Sequence, residues 1–547
     1  MITINKSRLA SIFFIFIGLF IALLIRIYIL QIKQTGFFSG LAHQQHNVTK
    51  TARPTRAEIY DRNGQIIALN KETYAAFIIP AKLEDKEKIT LFLKIHFPDA
   101  HKRLLKHPKS HFLYIKRRLS PKEKTTIESA QLTDIKILSE PGRFYPISGL
   151  TSLLGMTDID NKGTLGLELQ YNKMLAGNPT TYILDKDARS GHFYFKKETK
   201  IAGTEGSPLK LTIDSTLQFL AHEELKELAI SINADDGAVI IINPDNGEIL
   251  VMTNYPDFDP YAPNAFSDIT YSKNRTVTER YEPGSVMKIF LALAAFQEQV
   301  VQPEELIDCM GTASTYIEGV KIGTWMAHGV IPFTQVITRS NNIGCVKVAQ
   351  RLGTKLYDYY RLVGFGNKTK LSFPGEQTGY VTSPDKWTKS SLFTLSYGYG
   401  ISTTLLQLAR AFCIIANDGY YVEPKIVLDA PVLKEATPRF GKKALSNIKE
   451  VLEKTVADVS GTAKKARIAG YRIMGKTGTA NVLEDGVYNQ HHNIFTFIGI
   501  VEKDNYKRVI LTFIKGAGNH TTHASSIAAP LFESVAQKML IHDKIIV

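Results

Sequence analysis

The chain has 547 residues, a length that calls for more than one domain, and its 44% hydrophobic and 10% aromatic content excludes a disordered or collagen-like protein. Three cysteines, Cys309, Cys345 and Cys413, show no C-x-x-C spacing, which excludes a disulfide scaffold and a structural zinc site. The formal net charge of +14 belongs to the N-terminal part: residues 1–205 carry 31 Lys and Arg against 18 Asp and Glu, and residues 206–547 carry 35 against 34. The densest basic run, Lys102, Arg103, Lys106, Lys109, Lys116, Arg117 and Arg118, contains no nucleic-acid motif. It reads as a solvated face or as an attraction to an anionic membrane surface or polymer, and no nucleic-acid partner is expected.

Taken in chain order, Ala10 to Leu30 is an apolar run of 21 residues with one charge, Arg26. At 1.5 Å per residue such a helix covers ~30 Å, the thickness of a bilayer core. The run is longer than the ~7–15 residues of a signal peptide and no A-x-A-like site follows it, so residues 1–33 are expected to be an uncleaved anchor. Lys6 and Arg8 before it favour a cytoplasmic N-terminus, with the bulk of the chain outside. Residues 45–205 alternate short strands such as Tyr74 to Ile79 with charged helices such as Pro121 to Gln131, without catalytic signals. A second domain, residues 206–547, opens with a strand at Leu209 to Ile213. A helix at Ser215 to Ile230 follows, with Asp214 as N-cap, and then a hairpin from Gly237 to Met252 turning at Asn243 to Gly247. The pattern predicts a mixed α/β domain with an antiparallel sheet and flanking helices.

Chemistry concentrates at three places. Ser285-Val286-Met287-Lys288 opens a helix that continues as apolar IFLALAAF, placing Ser285 and Lys288 one turn apart on the same face. A serine hydroxyl needs an adjacent base, and an amine held in a dry pocket beside other cations can be neutral enough to serve. The helix N-terminus adds N–H groups and positive potential for an oxyanion. S-x-x-K alone is unspecific, for it recurs at Ser207, Ser383 and Ser446. Order and company add the specificity: Ser340-Asn341-Asn342 follows 55 residues after Ser285, and Lys476-Thr477-Gly478, a unique K-T-G, follows 136 residues after Ser340. The strand-like YRIM before Gly475 and the small residues after Lys476 describe a strand edge that a substrate backbone can approach. S-x-x-K, S-x-N and K-T-G in this order are the signature of penicillin-binding proteins and serine β-lactamases.

With these motifs the chain resembles the class B penicillin-binding proteins, the membrane-anchored peptidoglycan DD-transpeptidases. The likeness extends to Pro54 to Gly64, with Ala57 where glycine is usual, to Arg143-Phe144-Tyr145-Pro146, and to Gly163 to Glu168. Leu211 to Asp214, Asn243 to Met252 and Asn274-Arg275 resemble the entry to the transpeptidase domain, and Lys515 to Ser526 departs from the family pattern. Tyr281-Glu282-Pro283-Gly284-Ser285, Ser396 to Ser402 and Gln407 to Ala411 resemble the division-specific, septal type more than the elongation type. The resemblance implies a penicillin-binding transpeptidase fold on an N-terminal α+β pedestal with one transmembrane helix. It implies Ser285 as nucleophile, Lys288 as its base, Ser340 as proton relay, Asn342 as substrate-orienting amide and Lys476 as the cation of the pocket. Thr477, Gly478 and Thr479 would bind substrate, and backbone N–H groups of Ser285 and Thr479 would form the oxyanion hole. It also implies stem peptides and β-lactams as ligands, a membrane glycan polymerase and division proteins as partners, a periplasmic catalytic domain on the inner membrane, and no cofactor or metal.

Other residues read as structural. His520 and His523, with His491 and His492, fit no standard metal spacing. The cysteines suit buried small apolar positions. Tyr397 and Tyr399 either stack on substrate or pack a turn, and Glu282, the carboxylate nearest the nucleophile, is expected in a loop role ahead of Pro283. A DD-carboxypeptidase or β-lactamase-like hydrolase is the nearest competing function. No second carboxylate motif stands ready to activate a deacylating water, and ~150 residues of support are superfluous for a secreted hydrolase. A receptor or an inactive scaffold is a further alternative.

Overall fold

A computed structural model describes residues 6–52, 54–186, 193–262, 272–484, 487–516 and 523–545. Helix α1 (Lys6–Tyr28) is exposed along its whole length, and the helical run to Lys33 is long and apolar enough to cross a membrane. Residues 1–56 and 176–206 form one unit, in which a helix, Thr35–His46, accompanies a three-stranded antiparallel sheet of Asn47–Ala52, Thr180–Lys186 and Phe193–Ile201. Residues 57–175 and 207–547 form the other.

Within the larger unit, strand β1 (Ile66–Ile78) pairs antiparallel with β2 (Lys136–Phe144), from Leu69 opposite Phe144 to Phe77 opposite Lys136. A small core of Ile78, Ile89, Leu93, Leu104, Ile115 and Ile127 packs against this sheet. The helix Pro121–Ser129 starts at a capping box of Ser120 and Glu123 and stops before Gln131, which adopts a left-handed φ of 49°. Much of the basic run is stitched into the domain. Arg103 donates to the carbonyls of Tyr114 and Ile115, Arg117 bridges Glu140 and Asp160, Lys116 pairs with Glu123, and Arg118 donates to the Asp158 carbonyl.

The sequence boxes of this region are joints. Strand Ile59–Tyr60 runs parallel to Leu209–Lys210, the short strand that forms where Leu209 to Ile213 was expected to be extended. Asp61 accepts from the Ser215 hydroxyl at 2.7 Å, Asn63 donates to Asp214 at 2.9 Å, and Arg62 pairs with Glu248 at 3.3 Å. Arg143 and Glu168 form a fully buried ion pair at 2.6 Å, and Arg143 also donates to the Ala57 carbonyl. Asp257 accepts from the backbone of Gly149 and Ser152.

The C-terminal half is built on one sheet. Helix α2 (Ser215–Ser231) is capped by Asp214, which accepts from Leu217 N, and the hairpin of β3 (Asp236–Ile242) and β4 (Ile249–Tyr255) follows as expected. Beyond it come α3 (Lys288–Gln297), α4 (Phe333–Thr338), α5 (Asn342–Leu352) and α6 (Lys442–Ala457). The chain closes with β5 (Arg472–Glu484), β6 (Val487–Lys503), β7 (Tyr506–Lys515) and α7 (Ala528–His542). The sheet order is β4-β3-β7-β6-β5, all antiparallel, which leaves β5 at an edge. Alternation assigns the two faces. Ala238, Ile240, Ile242, Leu511 and Phe513 join the core that holds α3 and α6, whereas Val239, Ile241, Ile510 and Ile514 pack with α2 and α7. Both faces are therefore buried, which is why Ala238 to Ile242 of β3 reads as an unbroken apolar run.

Candidate active site

Ser285 lies on a single 3₁₀ turn, Gly284–Met287, that leads into α3, and not on the α-helix itself as the sequence suggested. Lys288 follows at i+3 as the first residue of α3, directly after the tighter turn. Lys288 to Phe296 are all buried, which fixes the helix and with it the turn. Two glycines bring β5 up to the turn. Gly284 has a left-handed φ of 56°, and a Cβ there would stand 2.7 Å from the Thr479 carbonyl oxygen. A Cβ on Gly478 would stand 2.7 Å from Val286 Cγ2 and 2.8 Å from the Pro283 carbonyl oxygen.

Lys288 and Lys476 are completely buried and converge on one hydroxyl. The Lys288 amine donates to Ser340 Oγ at 3.0 Å, to the Ser340 carbonyl at 2.7 Å and to Asn342 Oδ1 at 2.6 Å. The Lys476 amine reaches Ser340 Oγ at 3.3 Å and donates to the Thr477 carbonyl at 2.9 Å. Burial pushes Lys288 down to about 8, and burial with the neighbouring Lys288 charge pushes Lys476 down to about 7. The pair thus sheds its first proton near neutral pH, after which one positive charge is shared across the Ser340 hydroxyl. Ser340 itself carries a left-handed φ of 57° between α4 and α5, a strained conformation for a non-glycine residue that costs ~1–3 kcal/mol. Asn341, to which the sequence gave no role, is the N-cap of α5 and accepts from Gly344 N.

A cleft of about 460 Å³ opens over these groups, lined by Ser285, Ser340, Asn342, Thr477 and Thr479 among others. All expected site residues therefore surround one volume, with Lys288 and Lys476 immediately beneath and Gly478 in its wall strand. Ser207, Ser383 and Ser446 are elsewhere: Ser207 is bonded through its N–H to Met174, Ser383 precedes a 3₁₀ turn, and Ser446 is exposed on α6. The Thr477 hydroxyl donates to Thr462 at 3.2 Å, and Thr479 Oγ1 accepts from Ala524 N at 3.3 Å. Both Tyr397 and Tyr399 line the cleft, and the Tyr399 hydroxyl accepts from Asn481 N. Glu282 does not line it. Its carboxylate accepts from Gly400 N and from the Tyr488 hydroxyl, each at 3.0 Å, and burial raises its pKa.

His523, read from the sequence as a structural loop residue within the departing segment Lys515 to Ser526, lines the cleft, and so do the loop Ser460 to Lys465 and Trp325, which sequence reading missed. Neither the Ser460 loop nor Trp325 has a local signal: they reach the site through tertiary contacts of segments outside the motifs. His520 and the side chain of His491 lie outside the described residues. The three cysteines are buried and unpaired with one another.

A family model described as the penicillin binding protein transpeptidase domain matches residues 237–537, and one described as the penicillin-binding protein dimerisation domain matches residues 51–211. The chain is 30% identical to a probable peptidoglycan D,D-transpeptidase, PbpC, of Pseudomonas aeruginosa, over 88% of this chain and 85% of the relative. It is 29% identical to the peptidoglycan D,D-transpeptidase FtsI of Escherichia coli, over 88% of this chain and 82% of the relative. Among solved structures, penicillin binding protein 3 of Mycobacterium tuberculosis in complex with aztreonam superposes with a TM-score of 0.68 at 25% identity, covering 91% of this chain and 98% of that one.

Proposed function

From the premise that this chain belongs to the class B penicillin-binding proteins, we propose that its cleft performs serine acyl transfer on peptidoglycan stem peptides through Ser285, in the service of septal cell-wall synthesis. The enzyme is a serine-type peptidoglycan D,D-transpeptidase, and β-lactams are its covalent inhibitors. The observation that carries the reading of the site is the convergence of two buried amines on Ser340 Oγ, that of Lys288, three residues after Ser285, and that of Lys476, on an edge strand.

A stem peptide laid along β5 brings its terminal carboxylate to Thr477 and Thr479. That anion favours charge on Lys476, so a proton passes from Lys288 to Ser340 Oγ while the Ser340 proton passes to Lys476. Lys288 is then neutral and takes the Ser285 proton as Oγ attacks the penultimate D-alanine carbonyl. The oxyanion falls between the backbone N–H groups of Ser285 and Thr479, a device worth about 10²–10³ in rate per donor. Collapse breaks the C–N bond, and the leaving D-alanine amine collects its proton through Ser340. Asn342 orients the substrate backbone, and an amine of a second stem then attacks the ester. Among the described residues no carboxylate lines the cleft, which supports transfer to an amine over activation of water.

Residues 45–205 serve as pedestal and 206–547 as the catalytic domain, in keeping with the two family models matched. α1 anchors the protein as a single pass in the inner membrane, with Lys6 and Arg8 in the cytoplasm and the cleft in the periplasm. A membrane glycan polymerase and division proteins are its partners. Intact mass measurement after incubation with penicillin tests the assignment: one stable adduct, mapped to Ser285, is expected. An adduct on another serine refutes the nucleophile, and penicilloate release faster than about one per second, within the range of enzymatic turnover, refutes transfer in favour of hydrolysis.

A further inference from the structure

The residues that flank Ser340 in sequence, Arg339, Asn341 and Asn342, are tied to one short segment, Gly323 to His328, that carries no motif. Trp325 Nε1 donates to the Arg339 carbonyl at 2.8 Å, on one side of Ser340. On the other side, Asn342 Nδ2 donates to the Gly323 carbonyl at 2.7 Å and Asn342 N to Thr324 Oγ1 at 3.4 Å. Asn341 Oδ1 is taken by Gly344 N, which turns its amide NH₂ toward His328, so His328 Nδ1 accepts from it at 3.3 Å. The segment is itself fixed at both ends. Thr324 N donates to the Ala313 carbonyl, Gly311 N to the His328 carbonyl, and Val320–Gly323 pairs with Ser314–Ile317.

We propose that Gly323 to His328 is a strap that holds Ser340 in its left-handed conformation with Oγ between the two lysines, and that Trp325 and His328 are positioning residues for proton transfer. The proposal rests on the reading of Ser340 as the relay. A left-handed non-glycine residue persists only where its surroundings over-determine it, and the strap supplies tethers to the residues on both sides. The tolerance is small: Oγ is 3.0 Å from one amine and 3.3 Å from the other, and a displacement of ~1 Å costs about 10²-fold in rate. Trp325 is 55% exposed, so its indole is not held there as core packing; its polar edge is spent on one backbone carbonyl next to the relay.

The test is a double-mutant cycle on penicillin acylation, with the binding constant and the first-order acylation rate resolved separately. Trp325→Phe keeps an aromatic ring and removes the N–H donor. It is expected to slow the first-order acylation step about tenfold with Tm unchanged, and to add no further loss to that step in a Ser340→Ala background. His328→Asn, which retains an acceptor near the Nδ1 position, is expected to keep the rate that His328→Leu loses. Wild-type acylation by Trp325→Phe, or a loss that multiplies with that of Ser340→Ala, overturns the strap. A Ser340→Ala enzyme that acylates at the wild-type rate instead overturns the relay reading beneath it.

Discussion

At the scale of residues, the site is governed by the cost of burying two cations together. Neither lysine has a carboxylate partner among its hydrogen bonds, so desolvation is not offset and both amines are displaced downward. In the proposed mechanism both hold protons below about pH 7, so that no base serves Ser285, and above about 8 the second proton leaves and with it the charge proposed to draw the substrate carboxylate. Second-order acylation should therefore rise through about pH 7, fall above about 8 and give a bell, read by stopped-flow at a series of pH values. A flat profile from pH 6 to 9 would exclude this pair as the base. Lys288→Ala should lower acylation by about 10²–10⁴ with the fold retained, and Lys288→Arg should not restore it, since a guanidinium with a pKa above ~12 cannot accept the serine proton.

Among elements, the decisive contact is the edge of β5 against the 3₁₀ turn. The turn presents Ser285, the strand presents Thr477 and Thr479, and Gly478 removes the Cβ that would hold them apart. Gly478→Ala forces the strand outward by a few tenths of an ångström or more, against Val286 and the Pro283 carbonyl. The expected result is a loss of acylation of about 10²-fold, as for a catalytic group misplaced by ~1 Å, with Tm lowered by only a few degrees. Acylation kinetics and calorimetry on the same sample check it; a variant that reacts normally would show that the strand need not approach so closely.

For the whole molecule, residues 57–175 and 207–547 are stitched by charged groups taken out of water. Asp257 is pushed up to about 6 by burial, although it accepts backbone N–H groups from Gly149 and Ser152. Its folded value lies above the ordinary ~3.9, so the folded state holds the proton more tightly. The resulting stabilisation is full below about pH 4 and is lost as pH rises through about 6. Thermal unfolding of Asp257→Asn, which cannot ionise, should lack this decline between pH 4 and 7; equal slopes in both proteins would refute it. Glu168→Gln strands Arg143 in a fully buried site and should destabilise by about 3–5 kcal/mol, measured by denaturant unfolding. Removal of residues 1–33 should give a soluble protein that still acylates, since the spanning character ends before Gln34 while the cleft is built wholly from residues after Gly206.

What the sequence determined by itself follows from local rules. Apolar length marked α1, Asp214 marked the start of α2 and Asn243 to Gly247 marked the hairpin, because each of these signals is contiguous in the chain, and the order of three short motifs at Ser285, Ser340 and Lys476 marked the cleft. Tertiary structure alone decided what distance in sequence conceals. It set Ser285 on a 3₁₀ turn, left β5 at the edge, turned the boxes at Asp61, Arg143 and Glu168 into joints, and drew Trp325, Thr462 and His523 to the rim. The displaced lysines belong to this second class. Desolvation depends on which chain segments exclude water from a point, and the residues that meet the two buried amines are distant in sequence, Ser340 standing 52 residues from Lys288 and 136 from Lys476.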